Sequence, residues 1–384
     1  MSVTTYDIAI IGGGLAGSAL AYFFAKNDAK VLLLEAGSIC SGTSAACAGR
    51  AQIIESETPE YLDLVLAGLS RLKGLSTELE TDLEWEMPGH LTLLFNDDQY
   101  RQHEILIQRL NNHGVQAHML DFSALKQAEP FLQADSCIGA AYSTEGHVNP
   151  FKLCLGFANA ARRKGATLRT NKAITGFETQ ANKITRIQSG TNSYSADVVI
   201  LAAGAWSAKL AKLAGSDLPM HFTHAEAFVT EPLPRVIHHH IGISGFYEAV
   251  HGSERTVTLG LGQHQNGTLV VSNAIQQANK IDKASTAWGM PAIARAFSQY
   301  FPILNRARIM RTWAMPSPFL PDFLPAIGWL PEVENLYVAA GFHLAVPTIP
   351  LLAEAIASSI LHPEDKQAFS ILAPFSPERF VELK

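Results

Sequence analysis

The apolar positions along this chain change period repeatedly, and each change marks an element. Tyr6 to Ile11 (YDIAII) is an unbroken apolar run of strand length, GGGLAG follows as a turn, SALAYFFAKN reads as a helix, and Lys30 to Glu35 (KVLLLE) is a second buried strand. Together they predict a βαβ unit of about 30 residues and hence a parallel, doubly wound sheet. Leu62, Val65, Leu66, Leu69, Leu72 and Leu79 keep helical spacing and predict an amphipathic helix from Tyr61 to Leu79. His90 to Phe95 reads as a strand and Asp97 to Asn112 as a helix, with Asp121 capping a short helix that runs to Glu129 before Pro130. PFKLCLGFANAARRKGA predicts a helix ending at Gly165, ATLRT a strand, and Asp197 to Ser207 (DVVILAAGAWS) a buried strand running into a glycine turn. Short apolar runs from Met220 to about Val271 predict antiparallel strands. Asn335 to Gly341 is a further buried strand, and Thr348 to Ile360 a final helix. No repeat or Ser/Gly linker separates these parts, so two interleaved domains are expected.

Composition narrows the class. With 384 residues, 47% of them hydrophobic, and a mean hydropathy of +0.10, the chain is neither disordered nor a disulfide scaffold. Its charged share is 17%, against roughly 25% in ordinary soluble domains, which predicts large cores or a covered face. The net charge, 29 − 35 = −6, comes without any long basic run, so nucleic acid is not an expected partner. Cys40, Cys47, Cys137 and Cys154 have no CxxC spacing, and a reducing cytoplasm is the expected compartment, with peripheral attachment to the inner membrane face left open. The apolar stretch Ile8 to Phe24 is opened by Asp7, broken by four glycines and lacks a basic leader, so it reads as neither export signal nor membrane span.

The strongest motif is the first turn. Gly12, Gly14 and Gly17 form GxGxxG between strand and helix, with Leu15 and Ala16 inside it, and Glu35 and Ala36 close the next strand eighteen residues on. Gly12 permits the tight turn, Gly14 lets a pyrophosphate approach the N–H groups at the helix N-terminus, and Gly17 lets helix and strand pack closely. Glu35 can accept hydrogen bonds from a ribose diol. Both NAD and FAD carry that diol. FAD is favoured, because a second buried strand (DVVILAAGAWS) stops in small residues and no second GxGxxG unit follows for a nicotinamide nucleotide.

At this point the chain resembles the D-amino acid oxidase and glycine oxidase superfamily of FAD-dependent oxidoreductases. It is most similar to the flavin subunits of heteromeric sarcosine oxidase, proline dehydrogenase, opine oxidase and hydrogen cyanide synthase. The residues that carry the resemblance are GGGLAG with Glu35, SGTSAACAG, EGHVNPFKL (Glu145 to Leu153), DVVILAAGAWS, FVTEPLP (Phe228 to Pro234), RTWAMPSPFLPDFLPAIG (Arg311 to Gly328) and NLYVAAGFH. The resemblance implies a glutathione-reductase-like FAD domain (1–85, 146–217 and 320–384) interleaved with an antiparallel substrate domain (86–145 and 218–319). It implies that Gly42, Thr43 and Ser44 approach the pyrophosphate and flavin, that Ala173 offers backbone to the adenine, and that Ala203, Gly204 and Trp206 line the cofactor. Gly328, Gly341, Phe342 and His343 would lie near the isoalloxazine. The last helix would point its positive end at the flavin N1–C2=O edge.

Three departures from the family pattern bear on function, the first two of them on substrate. WAMPSP stands where glycine oxidases read WAGLRP, so Ser317 replaces the arginine that would clamp a carboxylate. The flavin loop is shortened, running from GFH directly into LAVPTIP, and Met315 stands where covalent sarcosine oxidases have cysteine, which implies noncovalent FAD. A carboxylate still needs a bidentate cation, and Arg50 and Arg311 are the candidates, with His343 able to orient substrate. His238 to His240 cannot all face one tetrahedral ion and read as an exposed loop, and no metal site is expected. Cys40 and Cys47 read as small buried thiols. The expected activity is oxidation of the C–N bond of a small amine or amino acid to an imine, by hydride transfer to flavin N5. The electron acceptor is left open between oxygen, a quinone and a partner subunit in a hetero-oligomer. The alternatives are a catalytically idle FAD-binding subunit and a 2-hydroxy acid dehydrogenase.

Overall fold

The computed structural model describes residues 5–54, 59–133, 135–244 and 252–383. The strand Thr5–Ile11 lies at the centre of the first sheet, parallel to Val31–Leu34 on one side and to Asn192–Leu201 on the other. Thr167–Arg169 extends the parallel sheet beyond Val31–Leu34, and Leu336–Ala340 extends it beyond Asn192–Leu201. Ala326–Trp329 closes that end antiparallel. The chain leaves the two strands Thr5–Ile11 and Asn192–Leu201 towards opposite sides of the sheet, so a crevice opens at their carboxyl ends, as expected of a doubly wound fold.

This sheet is covered on both faces, which is why its strands are continuously apolar. Ile8 and Ile10 enter a core shared with the helices Leu15–Lys26, Pro59–Leu72, Pro150–Arg163 and Ala345–Leu361, where Phe23, Phe24, Leu62, Phe157 and Leu352 pack. Ala9 and Ile11 face the opposite way, into a second core with Leu32, Leu34, Val199, Leu201 and Val338. Helix ends follow local chemistry: Asn149 caps Pro150–Arg163 through Phe151 N and Lys152 N, and Asp121 accepts from Ala124 N to start Phe122–Ala128. The helix expected from Tyr61 to Leu79 is interrupted after Leu72, and Gly74 precedes a separate short turn, Leu75–Glu78.

The second sheet runs in the order Ile309–Phe319, His221–Thr230, Leu269–Ala278, Thr256–Gln263, His240–Ile243, His90–Leu94, Gly139–Ser143, Ala117–Asp121. Its pairings are antiparallel except that His240–Ile243 runs parallel to His90–Leu94. The helix Gly289–Tyr300 covers one face through Ile293 and Phe297, against Phe228, Leu261 and Val271. Residues 245–251 of the stretch expected to form antiparallel strands lie outside the described residues. Ile309–Phe319 tolerates Pro316 and Pro318 because it is the edge strand, where a missing N–H interrupts no ladder on its outer side. Among the described residues, no helix is long and apolar enough to cross a membrane.

Candidate active site

A cavity of about 1070 Å³ runs from the carboxyl ends of the parallel strands to the face of the second sheet. That is at the top of the usual range for small-molecule sites, roughly 300–1,000 Å³, and large enough for a dinucleotide with a small substrate beside it. Gly12, Gly14, Leu15, Ala16, Glu35, Ala36, Gly42, Thr43, Ser44, Ala173, Ala203, Gly204, Trp206, Gly341, Phe342 and His343 line it, as does Arg50. Gly17 does not. A Cβ there would come within 1.9 Å of Gly12 O, so its part is to let the helix seat on the strand. Gly12, at φ +113°, is held equally tightly: a Cβ would come within 2.4 Å of Ala202 O.

Two expected positions fall elsewhere. Gly328 packs against Pro377 and does not line the cavity, because its strand sits at the outer edge of the parallel sheet. Arg311 is exposed at the far end of the edge strand, opposite Val229, and its side chain is not among the cavity's lining residues. Other expected residues line the cavity and are hydrogen-bonded within the protein. Thr43 lines the cavity, yet its hydroxyl donates to Pro316 O at 2.9 Å, and Ser44 Oγ accepts from Leu15 N at 3.0 Å. The Glu35 carboxylate accepts from Gly13 N and Gly37 N at 2.6 and 2.7 Å. Cys40 is buried as expected, whereas Cys47 is half-buried and lines the cavity.

The turn before the last helix is compact. Gly341, at φ +76°, opens it, and Leu344 is left-handed at φ +50° with its carbonyl accepting from Thr348 N and Oγ1. Tyr61 Oη donates to His343 O at 2.6 Å, tying this turn to the helix Pro59–Leu72. The first residues of Ala345–Leu361 line the cavity, which turns the positive end of a 17-residue helix towards it.

The second sheet supplies residues that reading single motifs did not find. Alternation along His90–Leu94 sends Leu91 and Leu93 into the core beneath the helix Gly289–Tyr300 and turns His90 and Thr92 to the cavity. Gly242, Thr258 and Gly260 reach it by the same alternation on neighbouring strands. Arg50 Nη2 contacts His90 Nδ1 and lies 3.7 Å from the Glu145 carboxylate, which is fully buried and accepts from Ile53 N and Ile54 N at 3.0 Å each. Glu145, in the EGHVNPFKL motif, therefore fixes both the backbone after Arg50 and the guanidinium itself. The signal was present in the sequence as a histidine and a threonine two apart in an apolar strand.

The histidine run is an exposed loop only at its start: His238 is exposed, His239 is half-buried and His240 is buried. Glu129, fully buried, accepts from His238 N, His239 N and His239 Nδ1, and His240 begins a strand with its ring inside. His240 meets His147 at 5.5 Å between ring centroids, and His147 meets His264 at 4.2 Å. Among the described residues, no group of three or more His, Cys, Asp or Glu is arranged to hold a metal ion.

Burial pushes all four histidines of this region towards the neutral form. His147 is held down to about 3 and His264 to about 4, while His90 and His240 are lowered further by the Arg50 charge. Arg235 adds to the lowering at His264 and Glu84 opposes it. Unfolded, each would titrate near 6.5, so above that pH ionisation costs the fold nothing. Below it the unfolded chain binds the extra protons, and the penalty grows until the folded values are passed. For His147 and His264 alone the loss between pH 7 and pH 5 is on the order of 2 kcal/mol each. Urea unfolding at the two pH values should show that fall, and a change below about 1 kcal/mol would contradict buried neutral imidazoles.

Arg50, Arg109, Lys172, Lys209 and Lys283 are the cations among the described lining residues, and Glu35 is the one carboxylate. An elongated cavity with a glycine turn, a helix N-terminus, an acid at the ribose position and a cationic lining suits an anionic dinucleotide and an anionic substrate. These features define a dinucleotide-binding protein. Residues 7–359 match the family described as DAO, FAD dependent oxidoreductase, and the chain belongs to that family and is an FAD-dependent oxidoreductase. It is 28% identical to sarcosine oxidase subunit beta of Arthrobacter sp., covering 98% of this chain and 91% of that one. It is 26% identical to glycine oxidase of Geobacillus kaustophilus, over 98% and 97% of the two chains. In fold it matches L-proline dehydrogenase from P. horikoshii with a TM-score of 0.86, 24% identity and full coverage of both chains.

Proposed function

We propose that this chain oxidises the C–N bond of a small amine bearing a carboxylate, giving an imine that water hydrolyses. The observation that carries the reading is Arg50, held over the cavity at the junction of the dinucleotide turn and the second sheet. Sarcosine, glycine and proline, named in the relatives, each place a carboxylate one carbon from the amine. Bound FAD supplies the two-electron acceptor. The chain's own residues do the rest. Arg50 receives the carboxylate and so sets which substrate hydrogen faces the dinucleotide. The helix Ala345–Leu361 turns its positive end to the cavity, where it would stabilise negative charge on a reduced flavin bound there. With Glu35 committed to backbone N–H groups, no lining carboxylate serves as general base, and the substrate enters with its amine neutral. Two electrons and one hydrogen leave as hydride from carbon, and the proton from nitrogen passes to solvent.

Ser317 in place of an arginine lines the same cavity, so the clamp is moved to Arg50 rather than lost. A 2-hydroxy acid carries the same carboxylate and is the second reading. Anaerobic mixing of the holoenzyme with sarcosine, proline, glycine, D-amino acids, opines and 2-hydroxy acids separates the two. Bleaching of the flavin by an amino acid is the expected result. Bleaching by hydroxy acids alone selects the second reading, and an inert flavin leaves a catalytically idle subunit. Recovery of colour with oxygen, a quinone or neither then identifies the acceptor, with a partner subunit as the remaining one.

A further inference from the structure

We propose that Thr92 is a second hydrogen-bond donor to the substrate's acid group, oriented for that task by a relay from Arg50 through His90. The inference rests on the reading that Arg50 receives a carboxylate. A guanidinium can only donate, so His90 Nδ1, which faces Arg50 Nη2, must accept. A neutral imidazole then carries its hydrogen on Nε2. That nitrogen lies 3.1 Å from Thr92 Oγ1, which therefore accepts. Having accepted on the side of His90, the Thr92 hydroxyl must direct its own hydrogen elsewhere. It donates to no acceptor among the described residues, and its side chain lines the cavity.

The neutral state of His90 has its own physical basis. The ring is buried, and a second positive charge would sit against the Arg50 guanidinium. Glu145 pins Arg50 from behind, so the relay starts from a fixed donor. The result is two donors, a guanidinium and a hydroxyl, separated by one imidazole ring and facing one space. A carboxylate has two acceptor oxygens and no hydrogen to offer, which is the complement of this pair. A carboxamide would set its NH₂ against one of the donors. The relay therefore selects acid over amide, a distinction that an arginine with a freely turning hydroxyl beside it would make less sharply.

The test uses the holoenzyme, with 2-furoate and its neutral counterpart 2-furamide titrated against the flavin absorbance, and steady-state kinetics on whichever amino acid reduces the flavin. Thr92→Val should weaken 2-furoate roughly tenfold or more, leave 2-furamide within about threefold, and raise KM with kcat little changed. Thr92→Ser should stay within about threefold of the parent. His90→Leu frees the Thr92 hydroxyl to accept, so the preference for 2-furoate over 2-furamide should narrow. Unchanged 2-furoate binding in Thr92→Val, with binding lost in Arg50→Gln, overturns the Thr92 assignment and leaves the Arg50 reading standing. Unchanged binding in both variants overturns both. An unaltered acid-to-amide preference in His90→Leu overturns the relay. If Thr92→Val does not retain FAD, Thr92→Ala and Thr92→Ser make the same comparison, and equal 2-furoate affinity in those two counts against the proposal.

Discussion

Gly14→Val is expected to yield a folded protein that is colourless and takes up no FAD. Three glycines share the motif, and their surroundings separate their tasks. A Cβ on Gly12 or Gly17 would run into backbone at 2.4 or 1.9 Å, so substitution there damages the fold itself. At Gly14 the nearest atom to an added Cβ is Ser44 Oγ at 3.1 Å, and the residue sits at φ −76°, which any L-residue adopts. Valine can be accommodated by the protein, but its methyl groups project into the cavity where a pyrophosphate must meet the helix N-terminus. Circular dichroism and the flavin absorbance of the purified variant check the two halves separately. Retention of a full complement of FAD would mean that the dinucleotide does not cross this turn.

Arg50→Gln should lower kcat/KM for the amino-acid substrate by roughly 100- to 1,000-fold, with FAD still bound. The Arg50 side chain is only 15% exposed, and a buried, charge-assisted contact to a carboxylate is worth about 3–4 kcal/mol when one partner is cut back. Part of the damage is structural, because Glu145 is left buried without its cation. Arg50→Lys separates the contributions: it keeps a charge near Glu145 but loses the planar fork, so it should retain stability better than activity. Melting temperature measured beside kcat/KM shows the split. Equal activity in Gln and wild-type enzymes would remove Arg50 from the substrate site.

The glycine-turn half of the candidate site was legible because its residues are contiguous in sequence and their conformations are set by backbone geometry. Strand, glycine turn, helix and distal acid can be recognised without knowing what packs against them. The half beside the second sheet was not, since it is assembled across strands that are far apart in the chain. Arg50 meets His90 and Glu145 only because Arg50–Ala51 pairs with Gly146–His147 beside the second sheet. Arg311 was misplaced for the same reason: its position in a family motif says nothing about which end of the edge strand reaches the cavity. The parallel pairing of His240–Ile243 with His90–Leu94 was hidden in a stretch whose alternation fits either direction. The long strand Ile309–Phe319 was obscured by its prolines, which only an edge position explains.

The turn around residues 41–47 is stitched from the other side. Lys283 Nζ donates to Ser41 O at 2.8 Å, Thr43 Oγ1 to Pro316 O at 2.9 Å, and Trp313 Nε1 to Ala46 O at 2.9 Å. One short segment thus lines the cavity beside the glycine turn and is bonded to the edge strand of the second sheet. Anything that binds the folded form of that segment steadies both sides of it, and anything that loosens the edge strand loosens the cavity wall beside the glycine turn as well. The segment is accordingly mortar between the two sheets, and damage to the edge strand is felt as a crack in the wall beside the glycine turn.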